Sequence, residues 1–495
     1  MCTTGSRSVT DVSAAAVEYS SAAGRGVVLA AVLGSGMAML DGTVVNVALK
    51  TIGKDLDASL AELQWITNGY LLMLASLILL GGALGDRLGR RRVFLIGVVW
   101  FAVASAMCGV APDSTTLIAA RVLQGIGGAL LTPGSLAIIE AVFTRVDRGR
   151  AIGAWSGLGS IAAAIGPFVG GALVQYADWR WIFLVNVPIA VATVVAALKY
   201  VPETRAETDG PFDVVGAVLA ATFLGGLTYW LIEWRTSYAL AALGVGVVAG
   251  FAFLVVEHRS RHPMMPLNMF ASRNFSAANA MTFLVYAALG AVIFFLVIDL
   301  QTVLGYGALQ AGIATLPLTA IMLLLAARGG ELGTRIGPRI PMTVGPMVMA
   351  VGVAWLSLVG VGTSYWTGVL PPVCVFGLGL ALMVAPLTAT VLAAAPDERA
   401  GIASGVNNAV ARAGSLLAVA ALPVAVGLGG DQYADPVAFD DAYGKAMLAC
   451  AALLAVGGAV SWLTITHGPV VPSDDERRPE PVPSQHQLDC PHRGH

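Results

Sequence analysis

Gly81-Gly-Ala-Leu-Gly-Asp-Arg-Leu-Gly-Arg-Arg-Arg92 decides the fold, because it joins two long apolar runs and returns later in the chain. Its glycines, Gly85 and Gly89 among them, let two helix ends approach through a tight turn. Asp86 is placed to favour the start of the following helix through the helix dipole. Arg87, Arg90, Arg91 and Arg92 suit a membrane surface or an acid on a neighbouring helix, and Glu140, at the end of the fourth apolar run, has the depth to be that acid. A partial copy, Gly329-Gly-Glu-Leu-Gly-Thr-Arg-Ile-Gly-Pro338, begins 248 residues after the first. There Thr334 replaces the acid and Pro338 an arginine, which predicts a structural role more than a switching one. A second pair, Arg150-Ala-Ile-Gly-Ala-Trp-Ser-Gly157 and Arg399-Ala-Gly-Ile-Ala-Ser-Gly405, stands 249 residues apart. Two matches at nearly one offset argue for a duplicated half.

Outward from this stretch the chain is 57% hydrophobic and only 12% charged, where a soluble protein carries about 25% charged residues. Its mean hydropathy is +0.78. A bilayer-spanning helix needs roughly 20 mostly apolar residues. Runs that qualify lie near 26–49, 64–84, 93–111, 115–139, 151–176, 180–199, 212–232, 238–257, 275–300, 309–328, 339–361, 367–394, 401–428 and 444–466. The expectation is an all-α integral membrane protein of about fourteen transmembrane helices. The repeat offset holds eight helices, yet each half has six, so the runs at 212–232 and 238–257 are an insertion. The layout is then a first half at 26–199, two inserted helices with flanking loops at 200–274, and a second half at 275–466. Parallel six-helix repeats with a site between them are a transporter architecture. Residues 1–25 and 467–495 read as disordered tails, too polar to fold alone. The N-terminal stretch lacks the features of a signal peptide, so the first helix is expected to be retained. In the C-terminal tail His467, His486, Cys490, His492 and His495 match no standard metal spacing.

Lys and Arg set the orientation. With both termini cytoplasmic, inner loops hold sixteen of them, from Arg87 to Arg399, and outer loops hold five: Lys50, Lys54, Arg180, Arg235 and Lys445. That asymmetry fixes the sides and requires an even helix count.

Net charge is −2 and no basic tract occurs, which argues against a nucleic-acid partner. Cys2, Cys108, Cys374, Cys450 and Cys490 show no paired spacing, so no disulfide framework is indicated. No phosphate-binding Gly-x-x-x-x-Gly-Lys-Ser/Thr loop occurs, which argues against direct ATP use. No catalytic or metal-ligating constellation stands out either. The expectation is a protein that is not an enzyme, needs no cofactor or metal, and is driven by an ion gradient.

With these residues in hand, the chain resembles the major facilitator superfamily and, within it, the fourteen-helix drug:proton antiporters of bacteria. The 81–92 segment is similar to the superfamily's signature loop. Leu40-Asp-Gly-Thr-Val-Val-Asn-Val-Ala-Leu49 resembles the first-helix motif of the fourteen-helix family. Arg121-Val-Leu-Gln-Gly-Ile-Gly-Gly128 resembles the fourth-helix motif linked to proton coupling. Gly153 through Gly166-Pro-Phe-Val-Gly-Gly171 resembles the fifth-helix antiporter motif, carried by Gly153, Gly166, Pro167, Gly170 and Gly171. Trp179-Arg-Trp-Ile-Phe-Leu-Val-Asn-Val-Pro188 is similar to a stretch typical of the same family. Two positions depart: Lys50 stands where the first motif usually ends in proline, and Ala162 where the antiporter motif has glycine. The resemblance covers about 26 to 466. It implies the major facilitator fold and a monomer in the cytoplasmic membrane that exports small hydrophobic molecules in exchange for protons. Five ordered motifs specify the family, and none specifies a substrate. A narrow transporter of one endogenous metabolite is the alternative. A non-transporting membrane scaffold is a third, and it lacks a soluble output domain here.

Ionisable residues inside spans are costly and usually face a cavity or a partner. Asp41 lies about 12 Å, and Arg121 about 9 Å, from the outer ends of their apolar runs at 1.5 Å per residue. In the superfamily fold the first and fourth helices both line the central cavity, so the two are expected near one another, as a proton-coupling pair or a structural lock. Gln124 follows Arg121 by three residues and shares its helix face. Asp299 closes an apolar run, either as an interfacial acid touching water or as a second proton site or cation contact. Arg412 lies deep in the thirteenth run near Asn407 and needs a partner: an acid, a carbonyl or an anionic group of the substrate. Met37, Trp155, Phe294 and Phe295 are candidate lining residues for an apolar cavity.

Overall fold

The structure is a computed structural model that describes residues 17–206, 212–396 and 399–465. Fourteen helices among the described residues are long and apolar enough to cross a membrane. They are α1 (Ala22–Asp55), α2 (Leu60–Leu88), α3 (Arg90–Gly109), α4 (Ser114–Val142), α5 (Arg145–Tyr176), α6 (Trp181–Tyr200), α7 (Val214–Ile232) and α8 (Ala239–Arg259), then α9 (Arg273–Thr302), α10 (Ala308–Ile336), α11 (Arg339–Leu356), α12 (Tyr365–Ala393), α13 (Ala400–Ala425) and α14 (Pro436–Thr464). Their ends are chemically marked. Ser59 and Glu62 form a reciprocal capping box at the start of α2, which satisfies two otherwise orphaned donors. Asp113 caps α4 by accepting from Thr116 N. The α2–α3 joint turns at Gly89 with φ +111°, and the α10–α11 joint at Gly337 with φ +82°, a region that side chains with a Cβ rarely adopt.

The packing repeats as the sequence does. In the first half α4 lies against α2 and α3, and α1 against α5 and α6. Eight helices later α12 lies against α10 and α11, and α9 against α13 and α14. A Cβ on Gly81 would collide with the Ala129 carbonyl of α4, and one on Gly329 with the Ala381 carbonyl of α12. The repeated glycine is therefore retained for close helix contact in both copies. The halves meet along α2–α13 and its counterpart α5–α10. The inserted α7 and α8 form a hairpin, with α7 lying against both α2 and α13.

Some sequence expectations change. α1 begins at Ala22 and runs to Asp55, and residues just before it are ordered: Val17 N donates to Val142 O at 3.0 Å, and Tyr19 N to Asp147 Oδ2 at 3.0 Å. The expected tail to residue 25 thus fails for 17–25, because Val17 and Tyr19 find apolar partners around Phe143. Residues 1–16 and the expected tail at 467–495, with its histidines, lie outside the described residues. Asp86 belongs to the last turn of α2 rather than the first of α3.

Candidate functional site

The centre of the first half holds a buried polar cluster built by four helices. Asp41 of α1 is 0% exposed and Arg121 of α4 is 1% exposed. Arg121 Nη1 donates to Asp41 Oδ2 at 2.5 Å and to Gln124 Oε1 at 2.6 Å. Gln124 Nε2 donates to Asp41 Oδ1 at 2.8 Å. Asn186 of α6 donates to the same carboxyl oxygen at 3.3 Å and to Ser105 Oγ of α3 at 3.0 Å. Ser105 hands its own proton to Phe183 O at 2.9 Å. Arg121 Nε reaches Ile66 O of α2 at 3.0 Å, and the guanidinium lies 4.5 Å from the Tyr70 ring centroid. A charge out of water is tolerated only where paired and hydrogen-bonded, and here the carboxylate collects three donors.

Asp41, Arg121 and Gln124 were legible from the sequence; Asn186, Ser105 and Tyr70 were not assigned. Asn186 carried a signal, a polar residue inside the apolar 179–188 stretch. Its placement follows from Pro188, which has no N–H for Leu184 O; the helix is interrupted at Val185 and resumes at Asn186. Ser105 gave none, since a lone serine in a span ordinarily bonds its own helix.

The loop at 81–92 is held by the segment that leads to the inserted hairpin. Arg90 pairs with Asp86 at 2.9 Å. Arg90 N donates to Thr204 O at 2.9 Å, and Ala206 N to Asp86 O at 2.8 Å. Arg91 N donates to Glu203 Oε1 at 3.1 Å, and Arg87 lies 4.8 Å over the Phe212 ring. Glu140, expected as the arginine partner, makes no ion pair among the described residues. Asp86 and Glu203 take that place, although the charges of Arg148 and Arg90 reach Glu140.

The antiporter stretch of α5 divides. Gly153 is exposed with open space around it. Gly166 and Gly170 pack on Thr43 and Val44 of α1, and a Cβ on Gly171 would lie 2.6 Å from Leu309 Cα of α10. Reciprocally, a Cβ on Gly312 of α10 would strike the Pro167 carbonyl. At this arginine-poor end the halves are bonded together. Lys50 Nζ donates to Gln301 O at 2.6 Å, Gln301 Nε2 to Val47 O at 3.0 Å, Gln64 Nε2 to Val419 O at 2.7 Å, and Tyr433 Oη to Ala58 O at 2.8 Å. Lys50, the departure from the family pattern, thus supplies a cross-half bond that proline could not. Toward the arginine-rich end Gly153 and Gly157 of α5 have no atom within 4 Å of a Cβ, so nothing packs closely on those faces of α5.

In the second half Asn407 donates to Thr282 Oγ1 at 2.7 Å and to Asn279 Oδ1 at 3.2 Å. Arg412 is half-buried and has no hydrogen bond or ion pair among the described residues; its charge reaches Tyr70 of the first half and Tyr286 of the second. Asp299 is 0% exposed, which overturns the reading of a water-touching interfacial acid: α9 continues to Thr302 and buries it. Phe294 and Phe295 are likewise buried, Phe295 against Phe439 of α14 at 6.0 Å between ring centroids, not in a cleft. Met37 is buried, and Trp155 Nε1 is spent on Ser35 Oγ at 2.8 Å.

A sequence profile described as Major Facilitator Superfamily matches residues 31–419. Among curated relatives, the tetracenomycin C resistance and export protein of Streptomyces glaucescens is 38% identical over 80% of this chain and 74% of its own length. The methylenomycin A resistance protein of Bacillus subtilis is 33% identical over 90% of this chain and 95% of its own. Among solved structures, the xylose transporter of E. coli in an inward-open conformation aligns with a TM-score of 0.62 at 15% identity, covering 89% of this chain and 96% of that one.

Proposed function

The chain belongs to the major facilitator superfamily, and from that membership we propose that it exports small hydrophobic molecules, antibiotics or a secondary metabolite, across the cytoplasmic membrane in exchange for protons. The observation that carries the reading is the buried Asp41–Arg121–Gln124 cluster. A buried carboxylate held by three donors is a charge whose state can be traded against a conformation. Protonating Asp41 releases Arg121 and Gln124 and loosens four helices of one half. The relatives named for antibiotic resistance and export support the direction of transport. The arginine asymmetry supports a cytoplasmic position for both termini and for the Gly153–Gly157 end of α5. There the 81–92 loop, with Gly85, Asp86, Arg87, Gly89 and Arg90, ties the first half to the inserted hairpin and acts as the conformational switch, with Glu140 beside it. Gly166, Pro167, Gly170 and Gly171 seal the opposite end. The protein acts as a monomer, without cofactor, metal or chemical turnover.

One proton moving inward releases about 1.4 kcal/mol per pH unit and about 2.3 kcal/mol per 100 mV. Together these sustain roughly a few-hundred-fold gradient of a neutral substrate. Dye efflux in everted vesicles under an imposed pH gradient tests the reading, with ethidium as probe and Asp41→Asn beside the wild type. Export that needs a pH gradient in the wild type and vanishes in Asp41→Asn is expected. Efflux by the variant equal to wild type would show Asp41 to be structural.

A further inference from the structure

Asp299 sits in the last turn of α9, two residues before the Gln301 that bonds Lys50 and Val47 across the closed end. Neither of its carboxyl oxygens has a protein partner, and neither does the hydroxyl of Tyr443 on α14, a residue also 0% exposed. Buried polar atoms that protein leaves unpaired are met by ordered water or kept neutral. An ionised carboxylate with no donor costs several kcal/mol more than the protonated acid.

We propose that Asp299 is a second proton-binding site, held neutral while the arginine-poor end is closed, and that Tyr443 and Asp440 of α14 form its route to the aqueous phase at that end. The inference deepens the proton-coupled reading and rests on it for its role in transport.

Phe295, one turn before Asp299, meets Phe439, which adjoins Asp440 and precedes Tyr443 by one turn, at 6.0 Å between ring centroids, so the three groups share one stretch of the α9–α14 contact. Asp440 and Tyr443 are three residues apart, hence on one face of α14, and α14 packs along α9. Asp440 lies in the second turn of α14 and is partly exposed, beside the backbone of Gly360.

The remaining ionisable groups around it are committed or distant. Asp441 is paired with Lys445 at 2.6 Å and acts on Asp440; Lys50 of α1 is spent on Gln301 O. Tyr433 donates to Ala58 O, and Arg412 of α13 acts on Tyr286, about 20 Å further along α9 than Asp299. Cys450 lies beyond Tyr443 on α14. Among the described residues no cation pairs with Asp299. In the step itself a hydronium at the arginine-poor face gives its proton to one Asp299 oxygen through Asp440, Tyr443 and intervening water. A neutral carboxyl and a water molecule result. Parting the Lys50–Gln301 bonds hydrates the acid and lets the proton leave by the same path.

Infrared difference spectroscopy of the full chain in liposomes tests this through the carbonyl stretch of a protonated carboxylic acid. The band is expected at neutral pH in wild type and in Asp41→Asn, absent in Asp299→Asn, and displaced in Asp299→Glu. Its deuterium exchange is expected to slow about tenfold or more in Asp440→Asn and Tyr443→Phe, since a positioned proton-transfer group is worth at least that. Absence of any band that depends on residue 299 would overturn the site, and unchanged exchange in both α14 variants would overturn the route. Efflux that ignores the pH gradient while the band persists would sink the exporter's proton coupling and leave the site standing.

Discussion

Asp41 and Asp299 lie on helices related by the internal repeat, α1 and α9, and both are 0% exposed. Around Asp41 the first half supplies an arginine, a glutamine and an asparagine. Around Asp299 the second half supplies phenylalanines and a tyrosine hydroxyl that does not reach it. One half therefore keeps a charge by solvating it with side chains, and the other keeps an acid by making ionisation costly. The duplication conserved the frame of helices and let the polar contents diverge.

The largest test of that contrast is to remove one partner of the solvated pair. Arg121→Leu leaves Asp41 buried and unpaired, and should lower stability by about 3–5 kcal/mol as well as abolish export; thermal unfolding in detergent reads the first and vesicle efflux the second. The double change Asp41→Asn with Arg121→Gln removes both charges. It should regain most of the lost stability and none of the proton dependence, and a recovery of transport would make the pair structural. In the second half, Asp299→Asn removes no partner, so its cost should stay under about 1.5 kcal/mol in the same unfolding assay; a loss like that of Arg121→Leu would mean that Asp299 is solvated after all.

Lys50→Met should weaken the closed end by about 1.5–3 kcal/mol, the worth of a charged hydrogen bond. The sign is read by thiol labelling of a cysteine placed at Gly153: labelling from the arginine-rich side should fall as the opposite end opens. The smallest effects belong to the short-range ion pairs of the two loop copies. Asp86→Asn and Glu331→Gln each break a pair four residues apart on one helix, worth about 0.3–0.5 kcal/mol. Only the first should change efflux, because only the first copy is tied to the inserted hairpin through Thr204 and Ala206.

Hydropathy and the 248-residue offset made the helices and their duplication readable, because span length and close glycine contacts are written locally in composition and spacing. Arg121, Gln124 and Asp41 were readable for the same reason: charge inside an apolar run is expensive and so conspicuous. What stayed hidden depends on neighbours distant in the chain. Ser105 looks like any small residue of α3 until α4 and α6 bring amides to it. Asp299 resembled an interfacial acid because its apolar run stops there, and only the continuation of α9 to Thr302 and the cover of α14 show otherwise. Glu140 had the right depth but the wrong neighbours, since Glu203 arrives from a loop with no periodicity to announce it.

Across the closed end, Lys50, Gln301, Gln64 and Tyr433 all donate to main-chain carbonyls of the other half. Every residue type carries such an acceptor, so each half asks its mate for a backbone path and not for a particular side chain. The charge cluster, by contrast, lies wholly within one half. Halves joined this way are partly interchangeable: a hybrid uniting the first six helices of this chain with the last six of a relative would keep its cluster and the two latch bonds that Lys50 and Gln64 donate. Such recombination is a means for a lineage of exporters to renew one wall of the cleft while preserving the other.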